Sequence, residues 1–364
     1  MSLQTAANLA EYCDRWTRRH PQSRDFICTE LQMAWEIYDQ LSLVELTPDN
    51  LSQLFRQLET EAKLRPLRLF GRLQIFYERW CTGIFLDAIA ESLPHKKSAQ
   101  VKTATARQID IGAGLNVMIL LFGLDAYMQS QPKLAGKLRF FPCGDPDSPN
   151  QNHDSDRLLK IIGYARWLGI TTFLDRVRDF LAGAKLVKVN LAGANLFGVN
   201  LENADLRGSN LSATNLAGAC LSKAELYQTN FSFSNLTGCD FSGANAKQAS
   251  FNNVNLMSAE MSKAQFQNAK FSNSNLSGVN LARAELNSCD FSNSHLRGAV
   301  LTHTNLHRAN LRNAILVNAD LSHADLRQAD LRYADLQDTI LNMLTWDQTT
   351  KWEQTRGLKL VTGV

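Results

Sequence analysis

The chain has 364 residues, enough for two or three domains and for a sizeable buried core. With 38 Lys and Arg against 35 Asp and Glu it is close to neutral, which argues against a polyanion binder driven by gross charge. Its seven cysteines, an odd number with no Cys-x-x-Cys pair, argue against a disulfide framework or a structural zinc site and point to a reducing cytoplasm.

The opening stretch, MSLQTAANLAEYCDRW, lacks the basic-then-apolar order of a signal peptide. Residues 1–180 read as helical. Thr47-Pro48 supplies a cap and a proline at the first helical position, and Leu51, Leu54, Phe55 and Leu58 follow at helical spacing. A longer apolar segment over 67–93 stops before Pro94, a basic, polar linker is expected near 95–108, and a further helix is expected over 110–128. The apolar run inside that helix, 111–124, includes Asn116. It falls short of the roughly 20 residues that span a bilayer and suits a buried helix, so no membrane span is expected. The composition of 142–156, PCGDPDSPNQNHDSD, is that of a loop. Ser155 or Asp156 then caps a helix over 157–180 that carries Leu158, Ile162, Ala165, Phe173, Val177 and Phe180.

From Leu181 to Leu341 every residue whose number ends in 1 or 6 is apolar: 33 positions, with 25 Leu, six Phe, Met261 and Ala246. Such fixed-period self-similarity marks a repeat architecture. The residue two before each is small, as at Ala184, Ala204, Thr214 and Ser234; the residue just before is usually Asn, Asp or Glu. A period of five fits neither a helix nor a flat strand, so the chain must turn a corner in every repeat. Phe231, Phe251, Phe271 and Phe291 recur every 20 residues, as do Asn195, Asn215, Asn235, Asn255 and Asn275. Four five-residue sides therefore make one coil, with identical side chains stacked in ladders. Ala246 sits 20 before Phe266 and makes room for its ring. At roughly 4.8 Å per coil, about eight coils make a rod about 40 Å long. Each buried Leu or Phe contributes about 1.5–3 kcal/mol.

The run Ala324-Asp325-Leu326-Arg327-Gln328-Ala329-Asp330-Leu331 resembles the pentapeptide repeat family, whose consensus is small-Asn/Asp-Leu-x-x. The resemblance covers 181–341. It implies a right-handed quadrilateral β-helix and points to a cyanobacterial source, but it implies no activity. The fold class expected is α+β: a helical domain over 1–156, a capping helix over 157–180, the β-helix over 181–341, and a C-terminal cap over 342–364 that folds over the last coil and holds Trp346 and Trp352.

Candidate chemistry is sparse. Gly112-Ala113-Gly114 lacks the Gly-Lys-Ser/Thr of a phosphate loop and reads as a tight helix start. Cys143, Asp145, Asp147, His153 and Asp154 lack the spacing of a calcium loop and read as a solvated loop. Arg65, Arg68 and Arg72, near Phe70, Phe76 and Tyr77, read as the wet side of a helix rather than a nucleic-acid contact. On the outer faces, Lys223, Lys263, Arg283, His303 and His323 share one position of the repeat, interrupted by Gly243, and form a candidate interaction stripe. Beside it runs a mostly acidic or polar column: Asp205, Glu225, Asn245, Gln265, Glu285, Asn305 and Asp325. Either the two columns neutralise each other on a solvated face, or the stripe docks an acidic partner segment.

The expected function is a non-enzymatic protein-protein interaction scaffold or regulator in the cytoplasm, without cofactor or metal. Its partners are proteins whose identity the sequence does not give, and stacking of solenoid ends into a homodimer stays open. The first alternative is a topoisomerase-binding DNA mimic, as in quinolone-resistance members of the family. That role needs a strongly acidic rod, whereas residues 181–341 hold 13 basic against 12 acidic groups. The second alternative is an unrecognised enzyme in the helical half.

Overall fold

A computed structural model describes residues 3–42, 44–61, 63–82, 106–149, 152–165 and 172–358. The end of the apolar segment expected over 67–93 and most of the linker near 95–108 lie outside these residues. The chain forms two compact units, Met1–Pro142 with Lys160–Phe180, and Cys143–Leu159 with Leu181–Val364.

The helices are α1 (Leu3–Thr17), α2 (Glu30–Leu41), α3 (Pro48–Thr60), α4 (Pro66–Cys81), α5 (Ala106–Ser130), α6 (Arg157–Ala165) and α7 (Thr172–Val177), followed by a 3-10 turn, Arg178–Phe180. The boundary between the units falls inside α6. Of the capping helix expected over 157–180, the described residues form α6, α7 and the 3-10 turn, and from Lys160 onward they group with the helical unit. Helix α3 begins as its sequence dictates. The Thr47 hydroxyl accepts the Asn50 N–H at 3.3 Å, and Leu51, Leu54, Phe55 and Leu58 are buried.

Helix α5 is the core of the first unit and packs on α2, α3, α4 and α7. Leu115, Val117, Met118, Ile119, Leu120 and Leu121 are fully buried, which is what a helix apolar on all sides requires. It is longer than its apolar run suggests. Residues Gln108–Ser130 are long and apolar enough to cross a membrane, yet 89% of their most apolar stretch is buried inside the protein. Gly112 and Gly114, expected at a helix start, lie within α5. A Cβ on Gly112 would sit 1.9 Å from the Ser42 carbonyl oxygen, and one on Gly114 1.9 Å from the Trp80 ring. Close approach, not a turn, demands glycine at both. Asn116 Nδ2 donates to the Leu41 carbonyl at 2.6 Å, which the end of α2 leaves open, and to the Val44 carbonyl beyond it at 2.7 Å. Asp110 accepts from the Tyr38 hydroxyl at 2.8 Å and Trp80 Nε1 at 3.2 Å. Burial raises its pKa, and the two hydrogen bonds offset that only in part.

The second unit is a four-sided coil. From Lys185 to Asp325 every fifth residue forms a parallel bridge with the residue 20 positions on. Among the described residues no side is long enough to be a strand; each contributes a single bridged residue. The sides meet in turns closed by bonds such as Ala184 N–H to Leu181 O at 3.1 Å. The residue two after each large apolar one has positive φ, for example 68° at Gly183 and 65° at Phe233, as the third residue of a type II turn does. That conformation costs an ordinary residue roughly 1–2 kcal/mol. Bonds in both directions between coils impose it, such as Leu186 N–H to Asp205 O at 2.8 Å and Asp205 N–H to Ala184 O at 2.9 Å.

The large inward residues fill the tube. Phe231, Phe251, Phe271 and Phe291 stack at 4.8–4.9 Å with planes within 4–9°. Phe266 meets Phe251 edge-on at 5.8 Å, one coil beyond the buried Ala246. The polar position is explained by its own bonds. Asn190, Asn210 and Asp240 Oδ1 each accept the N–H two residues on, at 3.1, 3.2 and 2.8 Å. Asn215 and Asn235 Nδ2 donate to the Asn one coil back at 3.0 and 3.3 Å.

Both ends differ from expectation. The segment 143–156 is not merely a solvated loop. Its Ser155 carbonyl accepts the Asn190 N–H at 2.9 Å, and Asp156 Oδ1 accepts from Asn190 Nδ2 at 2.7 Å. These groups stand where a preceding coil would. At the other end the winding does not stop at Leu341 and give way to a lid. Thr345, Lys351 and Arg356 bridge Asp325, Asp330 and Asp335, with one extra residue entering between the first two. Exposed Trp346 and half-buried Trp352 directly follow the bridged Thr345 and Lys351 and meet edge-to-face at 6.3 Å.

Two outcomes are expected. Phe251→Ala opens a void in the stacked column and costs about 3–5 kcal/mol in denaturant unfolding, whereas Phe233→Ala, on an exposed corner, changes stability by less than about 0.5 kcal/mol. For Asp110 the folded pKa lies above the unfolded value of about 3.9, so its stabilising protonated form is lost as pH rises through the folded value. Thermal melts of wild type and Asp110→Asn should diverge in favour of the variant as pH climbs through that window and run parallel above it.

Candidate interaction surface

The turn residues form four outward corners along the coil. Lys223, Lys263, Arg283, His303 and His323 all lie on one corner, with φ of 56–61°, and all are exposed. Backbone pairing fixes their register: Lys263 N–H donates to Ala282 O at 3.0 Å, Arg283 N–H to Thr302 O at 2.9 Å and His303 N–H to Ser322 O at 2.9 Å. Lys223 lies 3.5 Å from Glu202, an exposed pair of little energetic weight. Lys263 and Arg283 have no carboxylate within 4 Å among the described residues. The rings of His303 and His323 stack at 4.5 Å with planes 2° apart.

Among the described residues no ion pair within 4 Å joins the stripe to the acidic column beside it. Its members are held within their own column or by the next corner. Glu225 accepts from Asn245 at 2.8 Å and Glu285 from Asn305 at 2.9 Å. Arg327 donates to Asp325 at 2.6 Å. Asp205 is buried between Lys185 at 3.1 Å and Arg207 at 2.7 Å. Burial alone would raise the Asp205 carboxyl; the hydrogen bonds from Arg207 and Lys185 outweigh it and hold the group below the usual carboxylate range.

Sequence reasoning missed an open cleft of about 490 Å³ on another corner, lined by Asn313, Ile315, Tyr333, Asp335, Gln354 and Arg356. Arg312 lies over the Tyr333 ring at 5.5 Å. No sequence signal pointed to it, because Gln354 and Arg356 follow the interruption of the five-residue count.

The other candidates resolve as structure. Arg65, half-buried, donates to Asp14 at 2.7 Å, and buried Arg72 donates to the Trp16 carbonyl at 2.6 Å and lies over Phe26. Arg68 reaches the Thr17 carbonyl at 3.5 Å. Cys143 is buried, which pushes its thiol up to about 11. His153 ring nitrogens face the Gly144 and Lys188 carbonyls at 3.0 and 3.3 Å, and Asp147 lies 3.5 Å from Lys188. Among the described residues no three His, Cys, Asp or Glu side chains are grouped to hold a metal.

Residues 181–342, a little under half the chain, match the family described as pentapeptide repeats, in eight copies. Solved structures similar to this chain include QnrB1, a plasmid-mediated fluoroquinolone resistance protein, at 19% identity over 46% of this chain and 85% of that one, with a TM-score of 0.32. HetL, a pentapeptide repeat protein involved in heterocyst differentiation regulation from the cyanobacterium Nostoc sp. strain PCC 7120, is 28% identical over 47% and 86%, with a TM-score of 0.20. The pentapeptide repeat protein alr5209 from Nostoc PCC 7120 is 33% identical over 25% and 83%, with a TM-score of 0.24. Comparison with curated proteins gives no match. At these TM-scores the likenesses carry no argument; the repeat match and the ladder of bridges carry it. Over residues 181–342 the chain belongs to the pentapeptide repeat family.

Proposed function

We propose that this chain is a non-enzymatic interaction protein whose coils, right-handed as the family resemblance implies, hold a rigid corner against an acidic segment of a partner protein. The carrying observation is that Lys263 and Arg283 stand exposed on successive coils without a carboxylate within 4 Å. Their backbone is pinned by bonds to the next coil, so little ordering entropy opposes docking. The near-equal count of basic and acidic groups over 181–341 supports this reading over DNA mimicry, which calls for a dense run of negative charge. Seven free cysteines support a reducing compartment such as the cytoplasm.

The test is capture from native lysate by the full chain and by its Lys263→Glu/Arg283→Glu variant. A partner with an acidic segment should be held by the wild type, released as salt rises well above about 0.15 M, and held about tenfold less tightly by the variant. Equal capture by both, capture indifferent to salt, or no capture at all would refute the proposal.

A further inference from the structure

The same corner changes chemistry toward its C-terminal end. Lys263 and Arg283 give way to His303, His323 and Met343, one on each of three successive coils. All three occupy the third turn position, with φ of 57°, 61° and 54°. His303 N–H donates to Ser322 O at 2.9 Å and His323 N–H to Asn342 O at 2.8 Å, so the three side chains leave the same corner in register. Both histidines are exposed, and Met343 is 73% exposed. A thioether with that exposure contributes nothing to the core.

We infer that His303, His323 and Met343 form a site for a soft monovalent metal ion, Cu(I). Neutral imidazoles and a thioether are donors that suit Cu(I), whereas magnesium and calcium require oxygen ligands. The geometry supports this. The imidazole rings are 2° from parallel and 4.5 Å apart. Two nitrogens on one ion, each at about 2.0 Å, are at most about 4 Å apart. The spacing of the two rings is close to that, and both rings, exposed on the corner, turn out of their parallel stack so that their in-plane lone pairs converge on the ion. Met343 follows one coil along, and its three rotatable bonds let the sulfur turn back toward the rings. Zinc would require further nitrogen, sulfur or carboxylate ligands, and among the described residues no third His, Cys, Asp or Glu is grouped with the two histidines. On one side stand Asn305 and Asp325, the latter bound by Arg327; on the other stand Val300, Asp320 and Ile340. Arg283, one coil before His303, bounds the site with a positive charge, which places the ion between the histidines and Met343. This site does not depend on the docking proposed above, whose cations are Lys263 and Arg283.

Cu(I) is titrated anaerobically into the full chain against a chromogenic cuprous chelator. Every arm carries Cys81→Ser and Cys220→Ser, because those two thiols are the partly exposed ones and would bind copper themselves. Retention of the parent circular dichroism spectrum shows that each arm is folded. The parent should hold one equivalent, and His303→Asn/His323→Asn and Met343→Leu should each lower the affinity by about tenfold or more. Copper-edge absorption of the loaded parent should show nitrogen and a single sulfur neighbour. Failure of the parent to compete for copper, unchanged affinity in either variant, or a sulfur-only environment would overturn the assignment.

Discussion

The second unit depends on one constraint. In each group of five residues the backbone must turn a corner and still hand its N–H and C=O groups to the coils before and after. The bonds from Leu186 N–H to Asp205 O and from Asp205 N–H to Ala184 O state it in miniature. The large apolar side chain fills the interior, the small one leaves room at the bend, and the Asn or Asp closes a local turn through its own carbonyl or carboxylate oxygen. Left-handed backbone at Phe233, His303 and Tyr333 is a cost that this two-way bonding imposes and outweighs. The outer corners are therefore fixed positions on which side chains vary without disturbing the interior.

The first unit obeys a different constraint, close packing around one helix without a wet face. Gly112 and Gly114 are required by what lies opposite them, the Ser42 carbonyl and the Trp80 ring. Asn116 uses its amide on the carbonyls of Leu41 and Val44, and Arg65 and Arg72 bond Asp14 and the Trp16 carbonyl. Polar groups here serve the fold, so the strongest candidates for function lie on the coil.

The coil was legible because its pattern is local: spacing alone says which side chains point inward, and the 20-residue recurrence of Phe231 to Phe291 gives the number of sides. What was illegible depends on partners distant in sequence. Nothing in the composition of 143–156 reveals that Ser155 and Asp156 meet Asn190. A helical pattern shows that Arg72 of α4 lies near Leu69 and Phe76, but not that Trp16 of α1 lies opposite it. The acidic column could be read as a column, yet that Glu225 and Glu285 bind the Asn one coil on, and leave Lys263 and Arg283 exposed, required coordinates. The tail misled because its single extra residue breaks the count on which the reading depended.

That extra residue, between Thr345 and Lys351, has an evolutionary consequence. Before it, duplicating or deleting any block of twenty residues restores every column, so the gene segment for 181–340 can lengthen or shorten without a compensating change. After it, the numbering of the inward columns is offset, and a copied block carrying the offset would pair its successors out of phase. The irregular turn thus confines growth by duplication to the body of the tube and keeps the tryptophan-bearing terminus as a single, unrepeated feature.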